Sequence, residues 1–233
     1  MSTTPATDRP EAVIFDLDGT LVDTVERRIE AWLQAFEHAG IPATRETVSP
    51  LIGADGKALA RRIAEQAGRT LDEDEVEDID RRSGEIYQGL NVDPRPLPGA
   101  RELPAALERA GIAWAIGTSS RREQVRASVE ALGLEHEPTI VDGSHVKHAK
   151  PEPDLLLMAA DQLKADPPHT WYVGDSTFDM EAAVAAGMHP IGVTTGSAGI
   201  EALRRAGAAE VVPSLLDLEE RVRRWVAPFA RRS

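Results

Sequence analysis

Short apolar runs punctuate the chain: AVIF (12–15), IAWAIG (112–117), TIVD (139–142), TWYVG (170–174), HPIGVT (189–194) and EVVP (210–213). Runs of this length, rich in β-branched and aromatic residues, read as strands. From residue 98 onward they are separated by stretches of helical periodicity. GARELPAALERAGI closes at Gly111, REQVRASVEALGL at Gly133 and FDMEAAVAAGM at Gly187, each glycine standing where a helix can stop. PEPDLLLMAADQLK opens on Pro151 and Pro153 and carries a Leu/Met face. Strands alternating with helices predict an α/β fold with a doubly wound parallel sheet. Ligands of such sheets bind beyond the carboxyl ends of the strands.

Residues 24–90 break the alternation. TVERRIEAWLQAFEHAG puts Val25, Ile29, Trp32, Leu33 and Phe36 on one stripe and closes at Gly40. KALARRIAEQAG and DEDEVEDIDRRSGEIYQGL also read as helices, with no strand between them. The pattern predicts a small all-helical unit, 24–93, inserted after the first strand of a core made of 1–23 and 94–233. The proline-rich NVDPRPLPG would rejoin it to the core as a semi-rigid hinge. The acidic run from Asp72 to Asp80 lacks the glycine and ligand spacing of a calcium loop and reads as a solvated helix N-terminus.

Composition narrows the partners. The 233 residues hold 26 Lys plus Arg against 39 Asp plus Glu, a net charge of −13, which argues against nucleic acid or an anionic membrane. A small anionic substrate stays open, because a local cluster or a metal overrides the global field. Without cysteine there is no disulfide, thiolate nucleophile or Cys-ligated zinc. MSTTPATDRPEA lacks the apolar region of a signal peptide, and no run approaches the ~18 apolar residues of a membrane span. A cytoplasmic monomer is the expectation.

The stretch VIFDLDGTLVDT (13–24) brings two carboxylates, Asp16 and Asp18, to the end of the most apolar strand. Two like charges there demand a cation or a retained proton. Three other polar clusters fall near strand ends: Thr118 with Ser119, Lys150 in HAKPEPD, and Asp175 with Asp179 in YVGDSTFD. A parallel sheet can gather all four on one edge. Such a set suits phosphoryl transfer, in which a carboxylate must approach a phosphate dianion. Mg²⁺ would compensate the charge, and a Lys and a Thr hydroxyl would hold the remaining phosphoryl oxygens. The second aspartate would serve as general acid and base.

DLDGTLVD, GTSS, KPEPD and GDSTFD resemble, in order and spacing, the four motifs of the haloacid dehalogenase-like hydrolase superfamily, in the capped branch of phosphoglycolate phosphatase and β-phosphoglucomutase. The resemblance implies that Asp16 attacks phosphorus, and that Asp18 protonates the leaving group and then activates water. It implies Mg²⁺ held by Asp16, the Asp18 carbonyl and Asp175, with Asp179 a direct or outer ligand, and a phosphoryl group held by Thr118, Ser119 and Lys150. An aspartate at position 18 disfavours carbon–halogen cleavage, which needs no protonated leaving group. Plainer readings stand beside these: Thr118 and Ser119 as caps of the helix near Arg122, Asp175 as a helix N-cap, Asp179 as a first-turn acid, Ser120, His145 and His148 as structural or loop residues.

A phosphatase acting on a small phosphorylated metabolite is therefore expected. A mutase that returns the phosphoryl group to a sugar is the alternative, and an aspartyl-phosphate receiver domain, whose motif order differs, is a distant third. Mutases of this branch carry a histidine in the first cap helix where this chain has Arg28. Substrate reading would fall to LIGADGKAL (51–59), with Gly53 letting backbone approach and Lys57 meeting an anion. A turn with a surface lysine is the competing reading.

Overall fold

The computed structural model describes residues 9–226. Six parallel strands form one sheet in the order β5-β4-β1-β6-β7-β8. Their bounds are β1 Ala12–Phe15, β4 Ala113–Gly117, β5 Thr139–Val141, β6 Thr170–Gly174, β7 His189–Val193 and β8 Glu210–Val212. The strand order reverses at β1, with β4 and β5 added on one side and β6, its parallel neighbour, followed by β7 and β8 on the other. That opens a crevice at their carboxyl ends.

All four residues of β1 are buried, because the sheet is covered on both faces. Alternation divides them. Val13 and Phe15 join the cluster made with Leu103, Leu107, Leu218 and Val222, which lie on α5 (Glu102–Ala110) and α10 (Leu215–Val226). Ile14 joins Tyr172, Leu155 and Ala182 on the other face, under α7 (Asp154–Leu163) and α8 (Thr177–Ala185). The remaining core helices are α6 (Arg122–Ala131) and α9 (Ile200–Arg205).

Between β1 and α5 lie α1 (Val25–His38), α2 (Arg45–Val48), α3 (Gly56–Gln66) and α4 (Glu73–Leu90). They share a separate cluster built on Ile29, Trp32, Phe36, Leu59, Ile63, Val76 and Ile79. Trp32 stacks on Phe36 at 5.6 Å between ring centroids. Phe36 is fully buried, so truncating it to Ala would cost about 3–5 kcal/mol. The acidic run caps α4: Asp72 accepts from Glu75 N, and the Glu75 side chain accepts from Asp72 N.

The connector expected to act as a semi-rigid hinge is hydrogen-bonded to the passage that enters the helices. Val22–Asp23 (β2) pairs antiparallel with Arg95–Pro96 (β3), and Leu97 N donates to Leu21 O. Arg27 ties the two passages together, donating to Asp23 O and Asp93 O. The two passages into and out of the helical unit therefore form one ribbon. Among the described residues no helix is long and apolar enough to cross a membrane.

Candidate active site

β1 and β6 end side by side, and their following residues meet over the crevice. Asp16 N still donates to Val173 O, so the ladder fixes the backbone of Asp16. Oxygens of Asp16, Asp175 and Asp179 lie within 4.8 Å of one another, all three residues buried. Lys150, 1% exposed, enters from the loop before α7 and bridges two of them, donating to Asp16 Oδ1 (2.5 Å) and Asp179 Oδ1 (2.7 Å). The Tyr172 hydroxyl stands 3.1 Å from the same Nζ and donates to Asp179 Oδ1.

Asp179 is held on both oxygens, for Oδ2 accepts from Ser176 N (3.0 Å) and Ser176 Oγ (2.6 Å). The N-cap of α8 is thus Ser176, with Asp179 closing its capping box; Asp175 is not the cap. Asp175 Oδ1 accepts from Thr20, and Oδ2 from Ser197 N. Asp16 offers only Oδ1 to a hydrogen bond among the described residues, and it lines the cavity above.

Electrostatics separates the carboxylates. Burial pushes Asp16 well above the usual range against the pull of Lys150, and Asp179, Asp175 and Asp18 raise it further. Burial, then Asp179, pushes Asp175 up to about 7, despite the Ser197 N–H. Burial works against the charge of Lys150, yet Asp16 and Asp179 more than offset it and hold the ammonium. One ammonium faces three carboxylates, so the cluster keeps a proton when nothing else neutralises it. A hard divalent cation on this all-oxygen donor set would remove that need, so the residues present fit one.

Asp18 belongs to a different environment. Its Oδ1 accepts from Thr24 (2.6 Å) and Tyr87 (2.9 Å), its Oδ2 from Arg28 (2.8 Å) and Ser120 (2.9 Å). Burial would raise this carboxyl, but the Arg28 charge and the hydrogen bonds of Thr24, Arg28 and Ser120 bring it below its ordinary value. The two aspartates of the first motif do not share one cation: Lys150 serves Asp16 and Arg28 serves Asp18.

The other expected residues are also placed. Thr118 is buried, its Oγ1 accepting from Ser120 N. Ser119 donates to Gly53 O across from the helical unit, and α6 takes Arg121 as N-cap without a side-chain cap bond, so neither Thr118 nor Ser119 caps that helix. Gly53 sits at φ +99°, and a Cβ there would lie 2.5 Å from Ser176 Oγ. Lys57 lines the cavity but is committed to Glu77 at 2.5 Å. His145 and His148 pair with Asp142 and Asp154. All of Asp16, Asp18, Gly53, Lys57, Thr118, Ser119 and Lys150 border one cavity of about 790 Å³ between the core and the helices.

Sequence reasoning missed the partners of Asp18. Ser120, read as structural, bonds it directly. Arg28 and Tyr87 were not assigned to it, yet Arg28 falls on the apolar stripe of α1, three residues after Val25 and four before Trp32. A charge on an inward face was the available signal.

Fold and site together define an α/β enzyme with an acid-rich centre at the carboxyl edge of its sheet. The family model described as haloacid dehalogenase-like hydrolase matches residues 13–193, and the chain belongs to that family. It is 34% identical to an N-acetylmuramic acid 6-phosphate phosphatase of Pseudomonas aeruginosa, over 81% of this chain and 83% of that protein. It is 31% identical to a phosphoglycolate phosphatase of Nitrosospira multiformis, over 89% and 93%. The crystal structure of a hydrolase from Pseudomonas syringae superposes with a TM-score of 0.87 at 31% identity, covering 91% of this chain and 98% of that one.

Proposed function

We propose that this phosphoric monoester hydrolase acts on a sugar phosphate, through an aspartyl-phosphate formed on Asp16. The observation that carries the reading is the free oxygen of Asp16, beside Lys150, under a cavity of about 790 Å³. Cavities of this size enclose ligands much larger than glycolate phosphate. Relatives named for a phosphorylated amino sugar acid and for phosphoglycolate support the phosphomonoester class, and cavity size favours the sugar.

Asp16 Oδ2 attacks phosphorus while Lys150 holds Oδ1 and so fixes the carboxylate plane. Lys150, the Thr118 hydroxyl and Ser119 receive the phosphoryl oxygens. Mg²⁺ would be held by Asp16, Asp175 and the Asp18 carbonyl, supplying charge neutralisation for the phosphate dianion. Asp179 acts from outside, since both its oxygens are engaged in holding Lys150 and Ser176. Asp18 carries the proton for the leaving oxygen and later draws one from water. Against burial, Arg28 and the hydrogen bonds of Thr24 and Ser120 favour the charged form, so Asp18 takes up its proton together with the ester. The helical unit, 24–93, serves as the cap that excludes water, and the enzyme works as a cytoplasmic monomer. Gly53 supports the role as a cap, because its bare backbone approaches Ser176 and Ser119 across the cavity.

The test is phosphate release with Mg²⁺ across hexose phosphates, amino sugar phosphates and phosphoglycolate. Higher kcat/KM for a hexose-sized ester is expected, and preference for phosphoglycolate would overturn the substrate assignment.

A further inference from the structure

Three of the four hydrogen bonds to the Asp18 carboxylate come from the helical side of the molecule: Thr24 at the entry to α1, Arg28 on α1 and Tyr87 on α4. Arg28 reaches furthest into the core. Its Nη2 donates to Asp18 and, at 2.7 Å, to Ser120, which itself donates to Asp18. Its Nη1 donates to Gln124 Oε1 on α6, and Tyr87 stacks on the guanidinium with the ring centroid 3.4 Å from Cζ. Gln124 in turn reaches Arg28 through a gap left by a glycine on α4: a Cβ on Gly84 would lie 2.1 Å from Gln124 Nε2. The planar fork of arginine fits this set of acceptors, whereas an ammonium of lysine would satisfy fewer of them in one geometry.

We propose that Arg28 is the positioning residue that assembles Asp18 for proton transfer when the helical unit lies on the core, with Gln124 and Gly84 as its support. The inference rests on the reading of Asp18 as the proton donor. As the bond from Asp16 Oδ2 to phosphorus forms and the ester P–O bond breaks, its electron pair passes to the leaving oxygen, which takes the Asp18 proton. Arg28 touches no reacting atom. It holds the Asp18 carboxylate through Oδ2, directly and through Ser120.

The test compares two esters under saturating Mg²⁺: an alkyl phosphate, whose alkoxide needs a proton to leave, and p-nitrophenyl phosphate, whose phenolate does not. Arg28→Met is expected to lower the single-turnover rate of alcohol release from the alkyl ester at least tenfold, with the single-turnover rate of p-nitrophenolate release within about twofold of the parent, because the later attack of water is common to both esters. Gly84→Ala, a helix-favouring change, is expected to give the same selective loss at smaller size, and it carries the test if Arg28→Met does not fold. Equal losses of the first-turnover rate on both esters, or a loss confined to substrate affinity, would overturn the proposal. Asp18→Asn separates it from the reading beneath it. If Asp18→Asn shows the selective loss and the Arg28 and Gly84 variants do not, the positioning role alone falls. If Asp18→Asn keeps the full first-turnover rate of alcohol release from the alkyl ester, the proton-donor assignment falls and takes this one with it.

Discussion

Replacing Asp175 by Asn should stabilise the metal-free protein at neutral pH, although it removes a residue of the centre. The carboxyl moves from its ordinary 3.8 to about 7 on folding, chiefly through burial and then Asp179. The folded state therefore binds more protons than the unfolded one between those values, and wild-type stability falls as pH rises from 3.8 toward 7. A displacement of about 3, at about 1.36 kcal/mol each, amounts to at most about 4 kcal/mol. Asparagine escapes that cost. It can accept from Ser197 N with its carbonyl and donate to the Thr20 hydroxyl with its amide, so both existing contacts survive. For a chain of this size each kcal/mol is worth about 2–4 °C in Tm. In EDTA at pH 7.5 Asp175→Asn should melt up to about 8–16 °C above wild type, and the gap should close toward pH 4. Saturating Mg²⁺ should narrow the gap, because ligand binding adds about 2.7 kcal/mol at a hundredfold excess over Kd and the variant loses a ligand. Calorimetry across pH, with and without Mg²⁺, reads both effects. A variant no more stable than wild type at pH 7.5 in EDTA would show that the buried Asp175 carboxyl does not carry this cost.

Asp16→Asn should lower kcat by at least about 10³-fold with an unchanged circular dichroism spectrum and melting profile shape, since an amide cannot become an acyl phosphate. EDTA should silence phosphate release and Mg²⁺ restore it; titrating Mg²⁺ into Asp175→Ala should show a larger loss of activation than in Asp179→Ala. Gly53→Ala should impair closure, because a Cβ there meets Ser176 Oγ at 2.5 Å in a left-handed backbone. Hydrogen exchange should show a phosphate mimic protecting residues 51–57 in the parent and less so in the variant. With β-glucose 1-phosphate and a trace of glucose 1,6-bisphosphate, free phosphate should outpace glucose 6-phosphate; the opposite order would assign a mutase.

The sheet was legible because its strands are buried on both faces and read as uninterrupted apolar runs: AVIF and TWYVG match β1 and β6 to the residue. Strand ends were therefore legible too, and with them Asp16 and Asp175. The β2–β3 ribbon was not, for a two-residue pairing is set by chain passage and carries no periodicity. α2, only four residues long, likewise leaves no stripe. The four donors on Asp18 come from 24, 28, 87 and 120, and no local pattern connects positions that only the packing of α1 and α4 on the core brings together. Lys150 could be assigned through its motif, but its bridge from Asp16 to Asp179 is a product of burial in three dimensions.

In the proposed mechanism Asp16 Oδ2 is the atom that takes the phosphoryl group. Turnover of a hexose phosphate should be quenched in acid, the protein reduced with borohydride, and its peptides sequenced by mass spectrometry, since reduction converts an aspartyl-phosphate to homoserine. Homoserine at position 16 in the wild type, and none in Asp16→Asn, is the expected result. Normal phosphate release with aspartate intact at 16, or with homoserine at 18 instead, would contradict it.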